Sequence, residues 1–548
     1  MTSLLHHLLS LILLTPIAGA LAILAVRGRR PNGVRWMANA CAGAAFVAAL
    51  PLWFLYEPHG KTWQFAERGE LIASIGVSYY VGVDGFSISL ILLTTFMTWL
   101  ATLASWTEIG TRVRAFYACM LILEASLLGA FMALDFLLFY LSWVVMLAAM
   151  YCLIRLWGAR RPRESAVTFV IFTSVASGAV LAGILALVFA NYSATGIYSF
   201  DITLFHTIDV PPPVQKWAFV AFLAGFAARV PLFPLHAWFA DAQTNAPTGA
   251  SVMLTAVMLK IGTYGFIRFS LPILPEASRS FVPAIAVLAM GGAVYGAILA
   301  LAQRDPKRLV AYWSISQMSL VMLGLCALTP AAITGSLVQQ ISHGISAGAL
   351  LLIASVVVSP GTREIPAHGA PLRTTPVVAA VFLVITLSAV GLPAFSGFVG
   401  QKLLLQAVYA ANGWWGAAAA AGVAIGAVSL LRLYWRTVSA PTDGGNTLLR
   451  GVTGRELATL LPPAAVAVAI GLYPAPVLSR LETSVGRVAA RVTPAYAPFV
   501  QRGSDCATPA APDPAGPPPV FVLVEPCADA SAPAPGDTSP SQPPGKSR

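Results

Sequence analysis

The chain has 548 residues, 57% of them hydrophobic and only 10% charged, with a mean hydropathy of +0.76. So few polar groups cannot cover a water-facing surface, so this is an integral membrane protein; a soluble enzyme, a nucleic-acid binder and a disordered scaffold are excluded. The net charge of +11 does not signal nucleic acid, because most Lys and Arg sit in short loops between apolar runs, as bilayer orientation requires.

In the first thirty residues a long apolar stretch precedes its arginines, which predicts a retained first span rather than a secretory signal. At about 20 apolar residues per crossing, fourteen spans are expected. They begin near residues 4, 36, 84, 114, 136, 166, 217, 248, 280, 309, 331, 376, 415 and 455. The expected fold is all-α. Residues 1–113 hold spans 1–3, 114–270 a five-helix repeat (spans 4–8), and 280–437 a second, inverted one (spans 9–13). Span 14 and an amphipathic helix follow in 454–500, then a disordered Pro-rich tail in 503–548. Loops after odd-numbered spans hold nineteen basic residues, whereas the others hold only Lys61, Arg68, Lys216, Arg268 and Arg279. That asymmetry places both termini outside the cytoplasm.

Charges at membrane depth mark ion pathways or structural pairs. The candidates are Asp84, Glu124, Asp135, Arg229, Lys260 and Lys402, with His236 and His343. Asp84 and Asp135 start spans and fit helix caps, whereas Lys260 lies deep in span 8. Two spans contain breakers: Pro231 and Pro234 follow Arg229 in span 7, and Pro393, Gly397 and Gly400 precede Gln401 and Lys402 in span 12. Broken backbone at this depth is tolerated only against protein or a wet cavity, and five spans separate the two breaks, as inverted repeats require.

Cys41, Cys119, Cys152 and Cys326 lack metal-ligand spacing and fit packing roles. No dinucleotide, P-loop, CxxC or HExxH motif is present, so no redox, hydrolytic or metal centre is expected within the chain. Over 477–496, Leu478, Leu481, Val485, Val488 and Val492 share a face with Arg480, Arg487 and Arg491 off it, which predicts an amphipathic helix on the membrane or along partners. Residues 503–548 contain 12 prolines, with Cys506 and Cys527 either disulfide-bonded or free.

The runs SYYVGVDGFSISLILLTTFMTWLA, ALDFLLFYLSWVVMLAAMY, RVPLFPLHAWFADAQTNAPTGASVMLTAVMLKIGTYGFIRFSLP and QQISHGISAGALLL resemble subunit M of bacterial NADH–quinone oxidoreductase (respiratory complex I), across roughly residues 1–490. The resemblance implies a non-redox, proton-translocating subunit in a membrane arm. Its partners are L- and N-type subunits and lipid, not nucleic acid. NADH, flavin, iron–sulfur clusters and quinone are expected in partner subunits, and no cofactor in this chain. It further implies a glutamate on helix 5 paired with a lysine on helix 7, a lysine on helix 8 passing protons along a polar axis, and a glutamate on helix 12 leading to the exit. Here those positions hold Val144, Arg229, Lys260 and Gln401, and Gln317 stands where the family has histidine. Arginine holds its proton, valine carries no charge and glutamine takes up no proton. Conduction through this copy is therefore expected to be impaired or rerouted.

The candidate pathway comprises Lys260, Arg229, His343, Glu124, His236, Lys402 and Gln401, with Val144 marking a lost position. Glu124, which at 1.5 Å rise per residue lies about 15 Å from the outer surface, as Val144 does, is expected to hold Arg229 as a static pair. Lys402 offers positive charge beside Gln401, although about 100° around the helix from it. The alternatives are a cation/proton antiporter unconnected to electron transfer, and a structural spacer subunit.

Overall fold

The computed structural model describes residues 7–26, 31–357, 376–439 and 453–493. Away from water a backbone must satisfy its own hydrogen bonds, so the apolar runs become helices. In chain order they are α1 (Leu8–Ala25), α2 (Pro31–Leu55), α3 (Gly85–Ala104), α4 (Val113–Met132), α5 (Phe136–Trp157) and α6 (Pro162–Thr195). Next come α7 (Pro212–Arg229), α8 (Ala237–Asn245), α9 (Thr248–Ile273), α10 (Pro275–Ala302), α11 (Pro306–Cys326) and α12 (Pro330–Val357). The last are α13 (Pro376–Val390), α14 (Ser396–Ala411), α15 (Gly413–Ser439), α16 (Gly454–Leu472) and α17 (Ala475–Val492). Each expected span start lies within five residues of a helix start. Among the described residues, twelve helices are long and apolar enough to cross a bilayer: α1–α6, α9–α12, α15 and α16. The expected breaks are present, separating α7 from α8 and α13 from α14.

All described residues belong to one unit, Met1–Ala497. The tail expected over 503–548, with Cys506 and Cys527, lies outside them. Cys41, Cys119, Cys152 and Cys326 are free thiols within the helix bundle.

One element departs from the all-α expectation. Gln64–Ile72 (β1) and Val77–Val83 (β2) form an antiparallel hairpin, with Arg68 opposite Tyr80 and Glu70 opposite Ser78. Asp135 ties it down: one carboxylate oxygen caps α5 through Leu137 N–H and Leu138 N–H, and the other accepts from Ser78 N–H. Arg68 reaches Asp201 at 3.2 Å.

Helix α17 buries Val477, Leu481, Val485, Val488 and Val492, while Leu478 is only partly covered. It lies across the ends of α3, α9, α10 and α12 of its own chain, which cover the apolar face expected to meet membrane or partners. Its arginines are fastened by carbonyls: Arg480 donates to Trp53 O, Arg487 to Gly60 O and Arg491 to Ile208 O. Ser484 Oγ accepts from Gly85 N–H, the first residue of α3.

Beneath α17 is an ion pair that the sequence reading missed. Asp84 caps α3 through Ser87 N–H and takes two bonds of 2.9 Å from Arg268. Arg268 had been assigned to a loop; it is instead inside α9 and 3% exposed, so the loops after even-numbered spans are poorer still in basic residues. Its remaining donors reach Ser87 Oγ and Tyr264 Oη, and Trp63 lies over the guanidinium at 4.4 Å. Removing one partner strands a buried charge, which costs about 3–5 kcal/mol. Asp84→Asn and Arg268→Met should each lower the detergent-solubilised melting temperature by several degrees, whereas exposed Arg68→Met should move it by less than half as much.

His206 donates from Nε2 to Arg268 O at 2.9 Å, and burial, helped by the Arg268 charge, pushes its pKa down to about 4. The unfolded chain then takes up a proton near pH 6.5 that the folded chain refuses until near pH 4. Stability should fall as pH drops through this window. A melting series from pH 7.5 to 4.5 should show a smaller decline for His206→Gln than for the unaltered chain.

Candidate functional site

Helix α9 carries Lys260, and around it the regular helix is twice interrupted by π-helical turns, Leu254–Met258 and Phe266–Ser270. Such turns recur at functional sites because they re-aim side chains. Close approach is possible because small residues face the neighbours. A Cβ on Gly262 would lie 2.7 Å from Phe226 O, and one on Gly344 2.8 Å from Ala256 O. The central stretches of α9 and α12 are thus fully buried, and their polar side chains there face protein.

Lys260 Nζ donates to Thr255 O at 2.8 Å and lies 2.7 Å from His343 Nδ1. Both side chains are buried. As an ammonium, Lys260 donates to Nδ1, which leaves the imidazole proton on Nε2. Trp313 stacks on the imidazole at 5.1 Å. Polar groups continue beside this pair: Thr263 donates to Gln340 Oε1 at 2.6 Å, and Gln339 Nε2 to Gln317 Oε1 at 2.8 Å. Along α12 and the break that precedes α14, Ser342, Ser396, Ser388 and Ser346 form a hydroxyl chain with spacings of 2.8, 3.2 and 3.2 Å. The sequence reading found Lys260, His343 and Gln317 but missed Gln339, Gln340 and the serines. The available signal was QQISHGIS, five polar side chains in eight residues of an apolar span.

Gln401 is buried at the same break. Its Nε2 donates to Ala389 O at 3.3 Å, bridging α14 back to α13. A Cβ on Gly391 would lie 2.0 Å from Gln401 Oε1, and Gly391 has φ +88°, so glycine is required there. The side chain at 401 therefore acts as a structural tie across the interruption.

The other candidates lie apart. Arg229 ends α7 and is 1% exposed, with its guanidinium carbon 5.1 Å from the Trp143 ring centre, 5.9 Å from Phe169 and 6.0 Å from Trp238. None of its nitrogens has a hydrogen-bond acceptor among the described residues. Glu124 is fully buried on α4, and neither carboxyl oxygen has a partner there. The expected Glu124–Arg229 pair is therefore absent. Sharing the depth of Val144 does not set the azimuth of Glu124: α4 packs on α1, α2, α3 and α5, whereas α7, which carries Arg229, packs on α6, α9 and α10. His236 packs on Phe233 and Tyr295, with no hydrogen bond to Lys260 or His343 among the described residues. Val144 is 40% exposed on the lateral face of α5, and Lys402 is exposed on α14. The placement of Lys402 beside Gln401 in an interior pathway is thus corrected. No group of three or more metal-ligating side chains occurs among the described residues.

If Arg229 is held by ring faces rather than by Glu124, the two should act independently. A double-mutant cycle with Glu124→Gln and Arg229→Gln should give a coupling energy below about 0.5 kcal/mol in melting experiments. A coupling several times larger would restore the ion pair.

The sequence profile described as NADH:quinone oxidoreductase/Mrp antiporter, TM, matches residues 133–426, and that of the NADH-ubiquinone oxidoreductase chain 4 amino terminus matches residues 46–130. NADH-quinone oxidoreductase subunit M of Rhodobacter capsulatus is 35% identical over 503 residues, covering 88% of this chain and 96% of that protein. The subunit M of Pseudomonas aeruginosa is 34% identical over 458 residues, covering 81% and 90%. A chain of respiratory complex I from Thermus thermophilus superimposes with a TM-score of 0.80 at 28% identity, covering 88% of this chain and 99% of that one. With Lys260 and His343 joined in an enclosed polar row and similarity along most of its length, the chain belongs to the NADH:quinone oxidoreductase/Mrp antiporter family of membrane proteins.

Proposed function

We propose that the chain is a proton-translocating membrane-arm subunit of an NADH–quinone oxidoreductase, working beside L- and N-type subunits. The observation that carries this reading is the Lys260–His343 contact of 2.7 Å between the buried central stretches of two helices. A single proton can sit on either nitrogen of that contact: ammonium with neutral imidazole, or amine with imidazolium. Transfer to His343 Nδ1 lets the imidazole release its other proton from Nε2, which has no partner among the described residues. The serine hydroxyls are neutral groups that can accept one proton while donating another, and the glutamine amides orient the row by hydrogen bonding. Electron transfer, with NADH, flavin, iron–sulfur clusters and quinone, belongs to partner subunits.

In this reading α7 with α8, and α13 with α14, each count as one crossing, which brings the total to fourteen. The two interrupted pairs occupy matching places in inverted repeats of spans 4–8 and 9–13. The nineteen basic residues that the sequence places in and beside one set of span connections support periplasmic termini in a bacterial inner membrane. The expectation of impaired conduction has no support in the geometry, since the Lys260–His343 pair is intact and Gln401 serves as a tie. A cation/proton antiporter unlinked to electron transfer is the competing reading, because the matching profile names both classes. Its weakness is that the relatives matching over four fifths of the chain are named as subunit M.

The test is NADH-driven acidification of inverted membrane vesicles. Lys260→Met should abolish most of the proton uptake and lower NADH–quinone turnover several-fold, with the complex still assembled on native gels. Unchanged proton uptake per NADH would overturn the assignment. Sodium-dependent growth loss with normal NADH oxidation would favour the antiporter.

A further inference from the structure

Helix α14 presents Lys402, Gln406 and Tyr409 on one exposed lateral stripe, at spacings of four and three residues. Lys402 lies nine residues before Ala411, about 13 Å along the axis, so the chain end offers no nearby water. Side chains on a helix lean towards its N-terminus, and Lys402 does so: Nζ rests over the Phe398 ring at 5.7 Å, one turn back and further from Ala411. It therefore points deeper instead of reaching for the near surface. Among the described residues it has no carboxylate partner. Gln406, one turn on, adds an exposed amide to the same stripe.

A lipid-facing stripe should be apolar. The lateral face of α5 is: Leu141, Val144 and Val145 are all exposed there. The α14 stripe has the opposite character, a cation and an amide where hydrocarbon would otherwise lie, and polar side chains in this setting join helices. We propose that Lys402 and Gln406 form the contact face for a neighbouring membrane-arm subunit that presents a carboxylate at the same depth. This rests on the proposed function, which supplies such neighbours. The ammonium donates to the carboxylate, and Gln406 hydrogen-bonds beside it.

The test uses the full complex in native membranes. Gln406→p-benzoylphenylalanine should photocrosslink to another subunit of the oxidoreductase. Lys402→Glu should reduce the yield of intact complex after detergent extraction about tenfold and Lys402→Met less, and a compensating carboxylate→Lys change in the crosslinked helix should recover the yield of Lys402→Glu. Crosslinking only to lipid or to a second copy of this chain, or equal yields for the two Lys402 variants, would overturn the interface while leaving the functional assignment standing. Failure of the unaltered chain to co-migrate with NADH-oxidising subunits would overturn both.

Discussion

A bilayer offers no partner to a charged or polar group, so each such group at membrane depth must be satisfied by protein. Lys260 meets that demand with a backbone carbonyl and an imidazole, and much of the architecture follows from supplying them. The central stretches of α9 and α12 are fully buried, glycines let them approach, and π-helical turns flank the lysine. The polar row is thus an internal solvent made of side chains.

The same demand is met differently elsewhere. Arg268 has a bidentate carboxylate, a hydroxyl and an aromatic face. Arg229 has ring faces alone, and three cation–π contacts of about 0.5–2 kcal/mol each offset part of the penalty of burying its charge without a carboxylate. Glu124 has no partner among the described residues and can avoid the penalty by holding its proton, an option closed to arginine. The two buried arginines thus illustrate strong pairing and partial compensation within one fold.

What was legible in the sequence follows from what each signal measures. Hydropathy integrates about 20 residues, so helix positions were recoverable even where prolines interrupt them. Depth along a helix was equally accessible, and it located Lys260 and His343 in the interior. Azimuth was not. Glu124, placed by residue counting at the depth of Val144, lies in a different helix interface from Arg229, and Lys402, next to buried Gln401, emerges on the outside. Arg268 was mistaken for a loop residue because a buried arginine near a span end has the same local pattern as an interfacial one; only its distant partner Asp84 distinguishes them. The hairpin β1–β2 was missed because its short alternation was overshadowed by the apolar runs on either side.

Helix α17 has a temporal implication. Ser484 meets Gly85 across a sequence separation of 399 residues, and Arg480 meets Trp53 across 427. The segment that seals the Asp84–Arg268 end is therefore made after nearly every helix it touches has already entered the bilayer. Until translation reaches it, the start of α3 stays uncovered, and a ribosome that stalls early leaves a bundle without its latch. Closure of this clasp therefore waits until the helices before α17 have been made.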